Sequence, residues 1–428
     1  MTGIVRRAVL AAAAFAPAAG ARAWPRARFQ DVDSFLERLV SGRRVAGAAI
    51  RVARRGEVLY RRSLGLADVA HVAPLADDAI YRAYSMTKPV AAAAMLQLAE
   101  DGRLDLDAPI AKLVPELAHL SVLRAPGAGL SDVRPAAQPV TVRRLLTHTG
   151  GFTNNWSGGP VAARYTELGL IGGAWFRAGG PDGLPDFAAR LAQAPLMFEP
   201  GREWAYSLAF DLCGLVVERA TGRSFGEHLQ RRVFEPLGMF DTGFHVLPAS
   251  AGRLTSVYTR KDGRLVLHEA ADGSPFLSPP RAESGASGLV TTLEDYGRFA
   301  DMIAGGGRRG AAVVLHADSV RQMTTAQVPE AVLGDALVRF SGVGSGASGA
   351  GLGFGLGGSV VVDPGAAGTP GRAGDYSWGG AASTTFFASP DLGLSAVLMT
   401  QLFPSGQIPL HDGLKAAVFA DLGLSAAA

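Results

Sequence analysis

Segments with strand character lie near both ends of the sequence, and the stretch between them reads as helix and loop. A chain ordered this way closes one sheet from its two ends and carries the helical middle as an inserted lobe. Residues 32–40 have helical spacing, and 48–52 and 58–64 read as strands joined at Arg55-Gly56-Glu57. Residues 85–100 form a strong helix pattern, with an alanine run, Met95-Leu96 and Leu98, stopped at Asp101-Gly102. Helical patterns follow at 142–147, 187–192 and 208–220, while 158–185, rich in Gly and Pro, reads as long surface loops. Strand signals return at 253–259 and 264–268. After a helix at 293–303 come strands at 354–362, 383–388 and 394–402, then a closing amphipathic helix at 411–422. The fold class is α+β, with a sheet lobe at about 30–84 and 250–428 and a helical lobe at about 85–249.

Composition narrows the function classes. With 48% hydrophobic and 18% charged residues there is ample material for a packed core, which excludes intrinsic disorder. The 41 basic residues nearly balance 38 acidic ones, and no Lys/Arg block exceeds a pair, so nucleic acid is not an expected partner. Residues 1–23 read as an export signal: Arg6-Arg7, an apolar stretch too short to span a bilayer, and Ala21-Arg22-Ala23 as a cleavage site. Arg6-Arg7 fit either a twin-arginine or an ordinary secretory signal. The expected protein is exported, periplasmic or secreted, without a membrane span. Cys213 is the only cysteine and sits in an apolar helical pattern, where it reads as a small buried hydrophobe. The eight histidines are scattered without ligand spacing, so no metal and no cofactor is expected. Only four residues are lysine (Lys88, Lys112, Lys261 and Lys415), and all but Lys88 have bland readings.

Lys88 closes Ser85-Met86-Thr87-Lys88, the one S-x-x-K in the chain. Three residues apart on a helix, Ser85 and Lys88 share a face. Pro89 lacks an N–H and is tolerated only near a helix start, which puts the start close to Ser85. Backbone N–H groups and the helix dipole there favour a developing oxyanion. A serine hydroxyl needs a base to become a nucleophile, and a lysine serves as one where burial favours its neutral form. A second signal is Glu199-Pro200-Gly201-Arg202-Glu203-Trp204-Ala205-Tyr206-Ser207-Leu208, in which Tyr206 either points into a cleft or packs. A third is Asp375-Tyr376-Ser377-Trp378-Gly379-Gly380-Ala381, whose glycines open a strand and let a ligand approach the backbone.

In this order the three signals resemble the penicillin-recognising serine hydrolases: class C β-lactamases, D-Ala-D-Ala carboxypeptidases and above all the family VIII carboxylesterases. Leu145-Leu146-Thr147-His148-Thr149-Gly150-Gly151, Phe234-Glu235-Pro236-Leu237-Gly238-Met239 and Gly351-Leu352-Gly353-Phe354-Gly355 look familial too, so the resemblance runs from about residue 30 to 405. It implies a β-lactamase/transpeptidase-like fold, an antiparallel sheet flanked by helices. It also implies Ser85 as nucleophile, Lys88 and Tyr206 as the proton-transfer system, and the N–H groups of Ser85 and Ala381 as an oxyanion hole. Tyr84, Leu208, Trp378, Gly379 and Gly380 become the expected substrate-binding residues. The implied function is cleavage of short- to medium-chain carboxylic esters, small-molecule substrates, through an acyl-enzyme.

Two departures select esters over β-lactams. The tyrosine motif usually ends in Asn, which binds a β-lactam side-chain amide; Leu208 stands there and offers no hydrogen bond. The usual K-T-G, whose cation holds a substrate carboxylate, is Trp378-Gly379-Gly380. Arg372 is a candidate replacement for that cation. A β-lactamase, a D-Ala-D-Ala carboxypeptidase or a non-catalytic cell-wall binding protein on the same scaffold is the alternative. Gly222-Arg223-Ser224-Phe225-Gly226 matches a nucleophile elbow, but it follows a helix, and Ser224 reads as a helix cap. G-x-G-x-x-G matches beginning at Gly344 and Gly353 open no helix and carry no dinucleotide expectation; 341–358 reads as a mobile loop running into a strand.

Overall fold

The computed structural model describes residues 29–424, apart from 178, 334–336 and 338–348. The expected export segment and residues 341–348 of the glycine-rich tract lie outside the described residues. Near the N-terminus, β1 (Gly47–Arg54) and β2 (Glu57–Asp68) form a hairpin turned by Arg55 and Gly56, both at positive φ, and β3 (Ala73–Pro74) pairs with β2. The C-terminal part supplies β4 (Leu352–Phe354), β5 (Ser359–Val361), β6 (Tyr376–Gly379), β7 (Thr385–Ser389) and β8 (Leu394–Thr400). They form one sheet in the order β4-β5-β6-β7-β8-β1-β2-β3, each neighbouring pair antiparallel. The two halves of the chain meet where β1 pairs with β8, Ala48 opposite Thr400 and Arg54 opposite Leu394.

Five helices frame the sheet and the site: α1 (Gln30–Ser41), α2 (Thr87–Glu100), α3 (Leu212–Thr221), α4 (Leu293–Ala304) and α5 (Leu410–Asp421). β1 is buried along almost its whole length because both of its faces are covered. Ala48, Ile50 and Val52 share a core with Val32 and Leu36 of α1 and Leu414 and Val418 of α5. On the opposite face Arg51, fully buried, forks onto Asp301 of α4 at 3.0 and 2.8 Å and reaches Glu294 at 3.0 Å. Gly297 makes room for it, since a Cβ there would lie 2.5 Å from Arg51 Cδ.

α2 is buried from Thr87 to Leu98, and the small side chains of its alanine run let the β4–β5 turn lie on it. A Cβ on Gly357 would come within 2.8 Å of Ala92 Cβ and 3.1 Å of Lys88 O. The residues leading into α2 are held by a two-stranded ladder, Ile80–Arg82 against Val290–Thr292. Among the described residues no helix is long and apolar enough to cross a membrane.

Three sequence expectations are corrected. The single strand at 354–362 is two, because residues 355–358 turn the chain back with Gly357 at φ 84° and Gly355 N–H donating to Gly358 O. The supposed loop at 158–185 contains a helix, Gly159–Glu167: Pro160 fits its first turn, and Val161, Ala162 and Tyr165 bury one face, a short signal masked by the flanking glycines. The strand at 253–259 begins only at Val257 and stays out of the main sheet. Val257–Lys261 and Arg264–Glu269 form a separate hairpin, tied to the end of β8 by Tyr258 N–H to Gln401 O and Phe403 N–H to Tyr258 O.

Candidate active site

Ser85 sits at the entry to α2, where one tight turn, Tyr84–Met86, runs straight into the helix. Tyr84 adopts φ 45°, a left-handed conformation that a tyrosine takes only under constraint. The kink leaves Ser85 partly exposed while both of its neighbours are buried. Lys88 follows on the first helical turn, 2% exposed, with Nζ 3.3 Å from Ser85 Oγ and 2.9 Å from the Ala286 carbonyl. Pro89 costs the helix nothing there, because a first-turn N–H has no partner within the helix.

Tyr206 arrives from the other side of the cleft and donates its hydroxyl to Ser85 Oγ at 2.7 Å. Lys88 Nζ lies 4.6 Å from the centre of its ring. Asn154 Nδ2 holds the Tyr206 carbonyl at 2.6 Å, and the ring packs on His148 at 4.7 Å. His148 accepts the Ser207 N–H on Nδ1 at 3.2 Å; burial, with the Lys88 charge beside it, holds its pKa well below the usual histidine value. It is therefore a neutral floor beneath Tyr206 and adds no second cation.

The third motif is brought to the same place by close backbone packing. A Cβ on Gly380 would meet Ala83 O and Thr384 Oγ1 at 2.3 Å, so only glycine lets the end of β6 lie against the chain two residues before Ser85. This sets Ala381 on the cleft wall with Ser85, and Tyr84, Leu208, Gly379 and Gly380 line the cleft as well. The glycines close a strand instead of opening one, because Gly380 N–H bonds Thr384 O and Ser383, at φ 64°, turns the chain into β7.

Trp378 does not face the cleft. It is 1% exposed and packs 5.8 Å from the Tyr206 ring and 5.3 Å from Phe354, since strand alternation turns it behind the motif. Arg372 is not there either: its N–H bonds Asp375, its Nη1 bonds Gly371 O, and its guanidinium lies 3.7 Å from Asp391.

The cleft has a volume of about 660 Å³, and Tyr84, Phe276 and Phe403 form one apolar wall. Burial pushes the Tyr84 phenol up to about 12, so it stays neutral. Among the described residues, Arg177 is the other guanidinium or ammonium group of the lining besides Lys88. Its Nη atoms are occupied by the carbonyls of Pro275, Ser278, Phe244 and Gly288, its guanidinium lies 4.0 Å from the Phe276 ring centre, and burial lowers its pKa to about 10. It clamps the wall and leaves little to offer a substrate carboxylate.

Cys213 is buried, and its thiol is pushed up by burial, in keeping with a packing role. Ser224 caps the short helix Phe225–Leu229 by accepting Glu227 N–H at 3.1 Å. Sequence reasoning missed Asn154, Asp211, Ala286 and Arg177 and assigned no role to His148. The one available signal was Asp211, an acid inside the apolar run that includes Phe210, Leu212 and Leu215.

The family model described as Beta-lactamase matches residues 32–420 of this chain. Esterase EstB of Burkholderia gladioli is 36% identical over 404 residues, 91% of this chain and 94% of that protein. Among solved structures, EstCE1, described as a hydrolase with promiscuous acyltransferase activity, superposes with a TM-score of 0.76 at 25% identity, covering 91% of this chain and 98% of that one. Simvastatin synthase of Aspergillus terreus, unliganded, gives 0.75 at 26% identity, covering 91% and 97%.

Proposed function

This chain belongs to the beta-lactamase family, and from that premise we propose that it is a serine carboxylesterase acting on uncharged small-molecule esters of short to medium acyl chain. One observation carries the reading: Tyr206 and Lys88 converge on Ser85 Oγ, at 2.7 and 3.3 Å, in a cleft with an apolar wall. The likeness to EstB and EstCE1 supports it.

In the proposed reaction Ser85 Oγ attacks the ester carbonyl as its proton passes to the Lys88–Tyr206 unit, which acts as one coupled system. The N–H groups of Ser85 and Ala381 take the oxyanion of the tetrahedral intermediate. Collapse breaks the bond to the alcohol oxygen, which leaves with the stored proton. Water then attacks the acyl-Ser85 ester and gives a proton to the same unit, which passes it to Ser85 Oγ as the acyl bond breaks and the carboxylic acid leaves.

Leu208 in the usual Asn position, and Arg372 outside the cleft, leave little to hold an amide side chain or a carboxylate. Both weigh against β-lactams and peptides. Transfer of the acyl group to an alcohol in place of water is a second activity of the same intermediate, favoured by the likeness to EstCE1 and simvastatin synthase. We place the enzyme outside the cytoplasm, on the strength of Arg6-Arg7 and the apolar segment after it.

The test offers p-nitrophenyl esters, a chromogenic cephalosporin and a D-Ala-D-Ala peptide to one preparation. Ester cleavage should dominate; rapid peptide or cephalosporin turnover without ester cleavage would reverse the assignment.

A further inference from the structure

We infer that Asp211 is a positioning residue for Lys88, acting through the backbone of Ala286. The inference rests on the serine-hydrolase reading of Ser85 and Lys88, and it holds for any ester. Lys88 carries its ammonium on a four-carbon stem with many rotamers, so its place beside Ser85 has to be fixed from outside. The Ala286 carbonyl, 2.9 Å from Nζ, does this. Ala286 lies in Ser284-Gly285-Ala286-Ser287, a run of small side chains with little of its own to anchor it.

The anchor is Asp211. Its Oδ1 accepts the Ser284 hydroxyl at 2.5 Å and the Ala286 N–H at 3.0 Å, and its Oδ2 accepts Trp175 Nε1–H at 2.7 Å. The segment also approaches the preceding backbone closely, since a Cβ on Gly285 would lie 2.5 Å from Phe210 O. A continuous path of hydrogen bonds thus runs from the Asp211 carboxylate through Ala286 to Lys88 and on to Ser85.

An acid 1% exposed is an expensive residue to use as a brace. Burial raises its pKa, while the three donors and the Lys88 charge favour the ionised form. Ionised, the carboxylate accepts from all three donors with no proton of its own to place. Asparagine has the same shape, but its amide nitrogen would face one of those donors, so Asp211→Asn loosens the brace without opening a cavity.

The test measures how fast Ser85 is phosphonylated by a fluorophosphonate, a reaction that needs an activated serine but no ester. Asp211→Asn should react about 100-fold more slowly than wild type, the scale of a misplacement of about 1 Å at a reacting group. Ser284→Ala, which removes one donor from the brace, should lose about 10-fold by the same reasoning. Leu212→Ala is the stability control: it truncates a neighbouring buried side chain outside the path, and should lower Tm while leaving labelling near wild type. Wild-type rates in both Asp211→Asn and Ser284→Ala overturn the inference, as does an equal loss in Leu212→Ala. A wild-type protein that labels on Ser85 but cleaves no ester would overturn the esterase reading alone.

Discussion

Tyr206→Phe removes one oxygen and leaves the packing of the ring in place. That ring is 8% exposed and lies 4.7 Å from His148, 5.8 Å from Trp378 and 4.6 Å from Lys88 Nζ, and phenylalanine keeps all three neighbours. What disappears is the 2.7 Å hydrogen bond to Ser85 Oγ, and with it one half of the proposed proton-transfer unit. Positioned acid–base groups contribute about 10²- to 10⁴-fold, so kcat should fall by that factor, about 3–5 kcal/mol in activation free energy. Stability should change by no more than about 1 kcal/mol, the net worth of one hydrogen bond. KM should stay near wild type, because the binding walls are untouched. The assay is p-nitrophenyl butyrate hydrolysis, with kcat referred to titrated Ser85 and a thermal melt run in parallel. A kcat within tenfold of wild type, in a protein with unchanged Tm, would refute Tyr206 as a proton-transfer group.

Gly380→Ala puts a methyl group where 2.3 Å separates it from Ala83 O, so the end of β6 has to move off the Ser85 segment. A loss of about 100-fold in kcat is expected, and near-normal turnover would show that Ala381 does not need that contact. Ser224→Ala should keep full esterase activity while losing about 1 kcal/mol of stability, the value of a helix cap, as read by urea unfolding. Loss of all activity would make Ser224 the nucleophile. His411 tests the pH dependence. It is 3% exposed, and burial, with the Lys415 charge, pushes its pKa down to about 3, below the ordinary 6.5. The native protein therefore leaves it neutral while the unfolded chain protonates it. Its stabilisation is complete above about pH 6.5 and is lost as pH falls toward 3. Between pH 7 and 5.5 wild type should lose about 1 kcal/mol more than His411→Asn, measured by urea unfolding at the two pH values; parallel losses would contradict this.

Much of the proposed site was legible because the proposed chemistry depends on residue types at short spacing. Ser85 and Lys88 share a helical face by geometry alone, and Tyr206 lies in a short motif at 199–208 that the sequence singles out. The rest was set by tertiary packing. Ala286 contributes a carbonyl, a group that every residue carries, so no side chain announces it. Asp211 and Asn154 act on backbone atoms, and only the closed fold brings those atoms near. Trp378 was placed in the cleft by motif analogy, whereas strand alternation turned it behind Tyr206. Lys415 looked ordinary in the sequence, yet it is 1% exposed and paired with the equally buried Asp375 at 2.9 Å. Two groups more than thirty residues apart cannot reveal such a pair by local pattern. In the fold, the hairpin at 352–361 was hidden because its turn glycines sit between Leu352-Gly353-Phe354 and Ser359-Val360-Val361, two apolar stretches whose second, with Phe354, reads as one strand.

The central claim is that Ser85 carries the acyl group. Its most direct test is intact-mass and peptide-mass analysis of enzyme quenched during turnover of a slowly deacylating p-nitrophenyl ester. One acyl mass should appear on the peptide containing Ser85, and Ser85→Ala should show neither the adduct nor turnover. An adduct on another residue, or full esterase activity in Ser85→Ala, would contradict it.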